Sequence, residues 1–294
     1  MQGPPYAARM QRPIELHGHR GARGLFPENT LAGFAGAIAL GVDTIELDVA
    51  MTADDVVVVT HDPALNPDIT RTADGAWLTG RGPTVRSLRA ADLARYDVGR
   101  LRPGSTYAAE FPDQAPHDGA RIPLLEDALR IDPTIRFNIE LKTMPASPGL
   151  TVDGARLAAA VVTVADAAGA TARVTVQSFD WRGPRHLRRT RPDVRVAWLT
   201  RAAILPEART WWDGPDPSDH GGSVARAVAA EGGPIWSPAH GDLTEQSLAE
   251  AHRLGLRVIP WTVNQAEDMR RLIGWGVDGL ITDRPDIARR IMAP

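Results

Sequence analysis

Along the chain, short runs with a two-residue hydrophobic period alternate with longer runs whose apolar residues recur every three or four positions. The first pattern is that of extended strand and the second that of amphipathic helix. Their alternation is the signature of βα units around a parallel sheet. The spacing predicts a first strand over 14–19. A helix then starts at Pro27-Glu28-Asn29-Thr30, capped by Asn29 or Thr30, with Leu31, Phe34, Ala35 and Ile38 on one face and Gly41 as its stop. A second strand over 44–50 sets Ile45, Leu47 and Val49 on one side and Glu46 and Asp48 on the other, so two carboxylates point together. Residues 56–60 also have strand character, but the connection at 51–55 is too short for a parallel crossover and makes them the return of a hairpin that carries His61 back over the sheet.

Further strands are expected over 136–142, 173–178, 194–199, 234–237, 257–263 and 279–282. Helices are expected over 124–131, 150–168, 181–191, 222–231, 244–254, 266–274 and 285–292. With the hairpin return left aside the strands number eight, which fits an α/β fold of the TIM (β/α)8 barrel type, one domain over 1–294. Two stretches break the rhythm. Residues 63–121 are rich in Pro, Gly, Asp and Arg and read as an inserted cap subdomain between the hairpin and the third barrel strand, with a short helix over 87–96. Disorder around 102–119 is the blander alternative. The Pro- and Trp-rich residues 205–220 form a second insertion.

Composition narrows the chemistry. The 294 residues are 43% apolar, enough for one large core, and a net charge of -3 gives no broad basic field of the kind nucleic acid selects. There is no cysteine, so a metal would be held by oxygen and imidazole. Residues 1–12 lack the apolar centre of a secretory signal, and the most apolar helical run, 157–170, contains Asp166 and is shorter than the ~20 residues a bilayer requires. A cytoplasmic location without membrane insertion is expected, or a periplasmic or secreted one if the chain is a trimmed mature form.

In a barrel the chemistry collects where the strands end. Those ends carry His19 and Arg20, Glu46 and Asp48, Glu140 and Lys142, Gln177 and Phe179, Trp261 and Asn264, and Asp283. Three carboxylates without a thiolate suit a hard divalent cation, Mg2+ or Ca2+. His19 and His61 carry the imidazole, the side chain suited to proton transfer, while Arg20 and Lys142 suit developing phosphoryl charge. Each also has a plain structural reading. His17 shares the face of His19 and reads as a hydrogen-bonded structural residue, Asp283 as the start of the last helix, Phe179 and Trp261 as wall packing, and Arg-rich 181–191 as a solvated helix face. The joint occurrence at several strand ends is what favours a site.

The residues in order resemble those of the glycerophosphodiester phosphodiesterases: His19-Arg20-Gly21, Pro27-Glu28-Asn29-Thr30, Glu46-Leu47-Asp48, His61-Asp62, Asn138-Ile139-Glu140-Leu141-Lys142, Gln177-Ser178-Phe179, Trp261-Thr262-Val263-Asn264 and Gly279-Leu280-Ile281-Thr282-Asp283. The hairpin turn, Ala53-Asp54-Asp55, departs from the usual Lys-Asp-Gly type. The resemblance implies a TIM barrel, one divalent metal on Glu46, Asp48 and Glu140, His19 and His61 as an acid/base pair, and Arg20 with Lys142 on phosphate. Gln177, Phe179 and Trp261 are expected substrate contacts. The activity implied is hydrolysis of a small glycerophosphodiester to sn-glycerol 3-phosphate and an alcohol. Residues 63–121 match the family only weakly, but their length, their position between His61 and the third barrel strand and the aromatic residues Trp77, Tyr96, Tyr107 and Phe111 suit a lid on the alcohol half. Two alternatives stand beside it: cleavage through a cyclic phosphate, as in sphingomyelinase D-like or phosphatidylinositol-cleaving enzymes, and a phosphate-binding barrel without turnover.

Overall fold

The computed structural model describes residues 13–293, so the reading made of residues 1–12 lies outside the described residues. Eight parallel strands form the barrel wall: β1 (Glu15–Gly18), β2 (Thr44–Met51), β4 (Arg136–Leu141), β5 (Val174–Ser178), β6 (Arg195–Thr200), β7 (Ile235–Pro238), β8 (Arg257–Val258) and β9 (Gly279–Thr282). They neighbour one another in the order β8-β7-β6-β5-β4-β2-β1-β9. β3 (Val57–Val59) pairs antiparallel with β2 outside this wall, as the short connection required. The circle closes between β8 and β9 through backbone bonds from Asp278 N to Val258 O, Ile281 N to Pro260 O and Val263 N to Ile281 O, at 2.9, 3.0 and 2.9 Å. β8 is shorter than the expected 257–263 because Pro260 brings no N–H to the ladder. The chain nevertheless stays in the wall through Ile259 N to Trp236 O and Trp261 N to Pro238 O, both 3.0 Å.

Ile45, Leu47 and Val49 of β2 belong to the main core, which lies between the strands and helices α1 (Leu31–Ala39), α4 (Leu125–Leu129), α5 (Gly154–Ala167), α6 (Arg182–Thr190), α8 (Val224–Ala230), α9 (Glu245–Arg253), α10 (Ala266–Trp275) and α11 (Pro285–Met292). Thr30 caps α1, its Oγ1 accepting the Gly33 N–H at 3.0 Å. The buried face of α1 is Gly33, Phe34 and Ala37, whereas Leu31 and Ala35, expected inside, are exposed. Close approach turns the helix this way. A side chain at Gly33 would meet the Pro27 carbonyl, and one at Gly36 the ring of Phe26. α5 starts later than expected because the Asp153 carboxylate accepts from the N–H groups of Ala155 and Arg156 and fixes the first turn there.

Residues 63–121 carry little regular structure: a 3-10 turn at Val85–Ser87, α2 (Ala90–Leu93) and α3 (Thr106–Glu110). The helix expected over 87–96 is split at Leu88, which is extended and whose carbonyl accepts the Ala53 N–H of the hairpin turn at 2.8 Å. Leu65, Val85, Leu93, Val98 and Ile122 make a small core of their own against Ala50 and Val58 of the hairpin. Residues 102–119 are not disordered: Ser105 caps α3, and the Ala115 N–H bonds the Leu25 carbonyl at 2.9 Å. In the hairpin turn Asp55 takes the left-handed conformation (φ 62°) that glycine more often supplies, and its carboxylate binds Arg86 and Arg156. The second insertion holds α7 (Ala208–Trp211) followed by Trp212, which stacks on Trp181 at 4.0 Å, while Trp198 meets Trp181 edge-on. Trp181 is thus fully buried at the start of a segment expected to be solvated.

Candidate active site

Parallel strands of one barrel all end on the same side, so the polar face of β2 and its neighbours is gathered into one place. In the register of β2 with β4, Asp48 stands beside Glu140. Glu46, Asp48 and Glu140 are buried, and each offers a carboxylate oxygen within 4.8 Å of the others'. Three buried carboxylates so close repel one another unless a proton or a cation intervenes. Burial and the charges of Asp48 and Glu140 push the Glu46 carboxyl well above its usual range. Burial would raise Asp48 as well, but the charges of His61, Arg20 and Lys142 and the Asn29 amide hold it low.

The hydrogen bonds of the three are unevenly filled. Glu46 accepts from the Arg20 backbone N–H and the Gln177 amide, both at 3.0 Å. Asp48 Oδ2 accepts from Asn29 Nδ2 at 2.9 Å, but Asp48 Oδ1, although buried, has no hydrogen-bond partner among the described residues. Lys142 Nζ donates to Glu140 at 2.7 Å and stands 3.6 Å from that free oxygen. An orphaned buried oxygen inside an all-oxygen donor set fits a hard divalent cation.

His19 and His61 reach this cluster from β1 and from the hairpin return. His19 Nδ1 donates to Asp283 at 2.6 Å, which leaves Nε2 as the free nitrogen, 3.9 Å from Glu46. Burial, with the charges of Arg23 and Arg20, outweighs the attraction of Asp283 and brings His19 down to about 4. His61 Nδ1 likewise meets Asp62, at 2.7 Å, and Asn66 donates to the other Asp62 oxygen at 3.0 Å. Both imidazoles are held by a carboxylate at one nitrogen and present the other. The turn that delivers His19 is tight: a side chain on Gly18 would run into the Gly21 carbonyl, Gly21 has a φ of 91°, and Arg20 is itself held in the left-handed region at 51°.

Arg20 is clamped between Glu28, at 2.9 Å, and Asp48, at 3.2 Å. Glu28 also accepts the Tyr107 hydroxyl of α3, which in turn accepts from Arg23 at 3.0 Å. Arg23 bonds Asp283 through two nitrogens, and Asn264 donates to the same carboxylate at 2.7 Å. Asp283 therefore faces the site, and the start of the last helix receives no side-chain cap from it. Arg23, Glu28 and Tyr107 lay outside the expected set. Glu28 and Asn29 carried a signal, since they stand in the helix-start motif, but capping explained them too readily.

A cavity of about 410 Å3 opens above the cluster, and every one of the ten expected site residues except Asp48 lines it. Gln177 has both amide ends engaged, by Glu46 and by Asn138 at 3.0 Å. Phe179 and Trp261 stand edge to face at 5.4 Å on the opposite wall. From residues 63–121 the cavity takes only Pro63, so the lid expected from that segment does not form its wall. His17 lies apart, buried against Glu15 at 3.1 Å, in the structural place expected of it.

Chemically this is the equipment of a hydrolase for phosphoric diesters. Residues 19–287 match the Glycerophosphoryl diester phosphodiesterase family, and the chain belongs to it. It is 30% identical over 269 residues to the candidate glycerophosphodiester phosphodiesterase YhdW of Bacillus subtilis (strain 168), covering 91% of this chain and 93% of that one. A candidate glycerophosphoryl diester phosphodiesterase of known structure from Silicibacter pomeroyi DSS-3 superposes with a TM-score of 0.87 at 39% identity, covering 96% of this chain and 94% of the other. An Oleispira antarctica phosphodiesterase, solved with its product sn-glycerol-3-phosphate, shares the fold at 20% identity, with a TM-score of 0.70 over 96% and 98% of the two chains.

Proposed function

We propose that this single-domain barrel hydrolyses small glycerophosphodiesters to sn-glycerol 3-phosphate and an alcohol, with one Mg2+ or Ca2+ held by Glu46, Asp48 and Glu140. The observation that carries the reading is the unpartnered Asp48 oxygen among three buried carboxylates, flanked by two carboxylate-held histidines. When bound, the cation neutralises a phosphoryl oxygen and makes phosphorus more electrophilic. Arg20 and Lys142 add fixed positive charge to that side of the phosphate. His19, with its Nδ1 proton committed to Asp283, takes the proton of the attacking water at Nε2. His61 gives its Nε2 proton to the departing alkoxide, and Asp62 steadies the imidazolium before it does so. Gln177 holds Glu46 in place, and the Phe179–Trp261 pair supplies an apolar wall of the cavity. The product complex of the Oleispira antarctica phosphodiesterase supports the same product here.

The test is turnover of glycerophosphocholine and glycerophosphoglycerol, read by enzymatic detection of sn-glycerol 3-phosphate, before and after EDTA and on adding back Mg2+ or Ca2+. Activity lost to EDTA and restored by one of the ions is expected. Phosphate release that leaves no glycerol 3-phosphate, or full activity in EDTA, refutes the reading. A cyclic phosphate in the product mixture assigns the attack to a substrate hydroxyl.

A further inference from the structure

Nearly every charge on the cavity wall has a partner. Arg20 is matched by Glu28 and Asp48, Arg23 by Asp283, and Lys142 by Glu140. Arg201, just beyond the end of β6, is the exception. Among the described residues no hydrogen bond or ion pair engages its guanidinium, which lies over the ring of Phe179, 5.5 Å from the centroid. A choline-like ammonium would be held by an open aromatic face. Here the Phe179 face is already covered by a cation, and Trp261 meets the same ring edge-on.

Arg201 also lines a second hollow, of about 570 Å3, whose wall includes Gln246 and two carboxylates already engaged by neighbours, Asp242 by the Ala202 N–H and Glu250 by Arg226 and Ser223. The Ser223, Thr244 and Ser247 hydroxyls are taken up in helix caps, which leaves the exposed Gln246 amide to bond a polyol as donor and acceptor and the Arg201 guanidinium, free of an ion pair, to attract an anion. We propose that the Arg201 rim receives the alcohol half of the diester and selects neutral polyol and anionic head groups over cationic ones. The inference rests on the phosphodiesterase reading above. It places head-group choice on the β5–β6 side of the barrel mouth, and not in residues 63–121.

The experiment measures kcat/KM for glycerophosphodiesters of glycerol, of inositol phosphate and of choline, with the parent enzyme and with Arg201→Lys, Arg201→Gln and Arg201→Glu. Arg201 is exposed, so these changes leave the core alone. One unit charge against another at contact distance in water is a factor of about five, and reversal counts it twice. The parent enzyme is expected to take the glycerol and inositol phosphate esters ahead of the choline ester. Arg201→Glu should raise the ratio of choline to inositol phosphate turnover at least about tenfold, Arg201→Gln should raise it partway, and Arg201→Lys should keep the parent ranking. The differences should shrink with added salt. A parent enzyme that prefers choline, or a ratio indifferent to the charge at position 201, overturns the inference while leaving the phosphodiesterase reading intact. Absence of turnover on all three esters with metal present overturns both.

Discussion

Asp283→Asn is the substitution that weighs most on the proposed chemistry. The carboxylate is 1% exposed and receives the His19 Nδ1 proton, two N–H groups of Arg23 and the Asn264 amide. An asparagine keeps one acceptor oxygen, puts a donor where the other stood, and removes the charge. Arg23, whose side chain is 14% exposed, is then left buried without its counter-ion. Breaking a buried pair in this way costs about 3–5 kcal/mol of stability. His19 loses the acceptor that fixes its tautomer, and loss of a general base lowers the rate by about 10²–10⁴. At the lower end this adds roughly 2.7 kcal/mol to the catalytic barrier. The assay is kcat and KM on glycerophosphoglycerol with saturating metal, beside a thermal melt. A fall in kcat of at least about a hundredfold, with KM changed far less, is expected. Because Asp283 raises the proton affinity of His19, its loss should also move the acidic limb of kcat/KM to lower pH. A folded Asp283→Asn enzyme that retains more than about a tenth of the parent kcat, with an unmoved acidic limb, would refute His19 as the base.

Three further outcomes are expected. His61→Ala should lower kcat/KM by about 10²-fold or more, whereas His17→Ala, paired only with Glu15, should lower it far less; equal losses would mean the wrong imidazole has been assigned. Burial alone would raise Glu15, but His17, Arg257 and Thr44 hold its carboxyl below the usual 4.5. Its stabilisation is therefore fully present above that pH and fades as pH falls below it, so the difference in Tm between parent and Glu15→Gln should be large at pH 7 and shrink below about 4.5. Tyr107→Phe removes a hydroxyl donor from Glu28, a bond to a charged group worth about 1.5–3 kcal/mol, and should raise KM more than it lowers kcat, since it loosens the Arg20 clamp; an unchanged KM would detach residues 63–121 from the site.

Much of this was legible in the sequence, and the reasons differ from place to place. β2 was plain because burying Glu46 and Asp48 in a strand covered on both faces is costly unless a site needs their charge. The hairpin return followed from the brevity of its connection, whatever its sequence. α1 was rotated from its expected face because glycines at 33 and 36 draw the helix against Pro27 and Phe26, and a hydrophobicity pattern assigns no weight to the absence of a side chain. Asp283 was found at a strand end but given the wrong neighbour, since its partners His19 and Arg23 lie some 260 residues away in the chain. Arg23 was hidden by the same separation, and Tyr107 by the 79 and 84 residues that part it from Glu28 and Arg23. Ion networks that join an insertion to the first turn of a barrel leave no local period to read.

The closure between β8 and β9 bears on the barrel's motions. A parallel ladder normally ties each strand to its neighbour along its length, but here Pro260 interrupts the sequence of donors and the wall is held by a few bonds of the flanking residues. Local opening is cheapest where fewest backbone bonds must break. The amides of Val263, Asp278 and Ile281, which span this joint, are therefore the first of the wall expected to exchange with deuterated solvent, ahead of those of β2 and β4, whose pairing is continuous. The mouth end of this joint carries Asn264 and Asp283, so each excursion of the wall also releases the carboxylate that aims His19. A ligand that bridges the mouth would slow exchange at the joint and steady the imidazole in a single act.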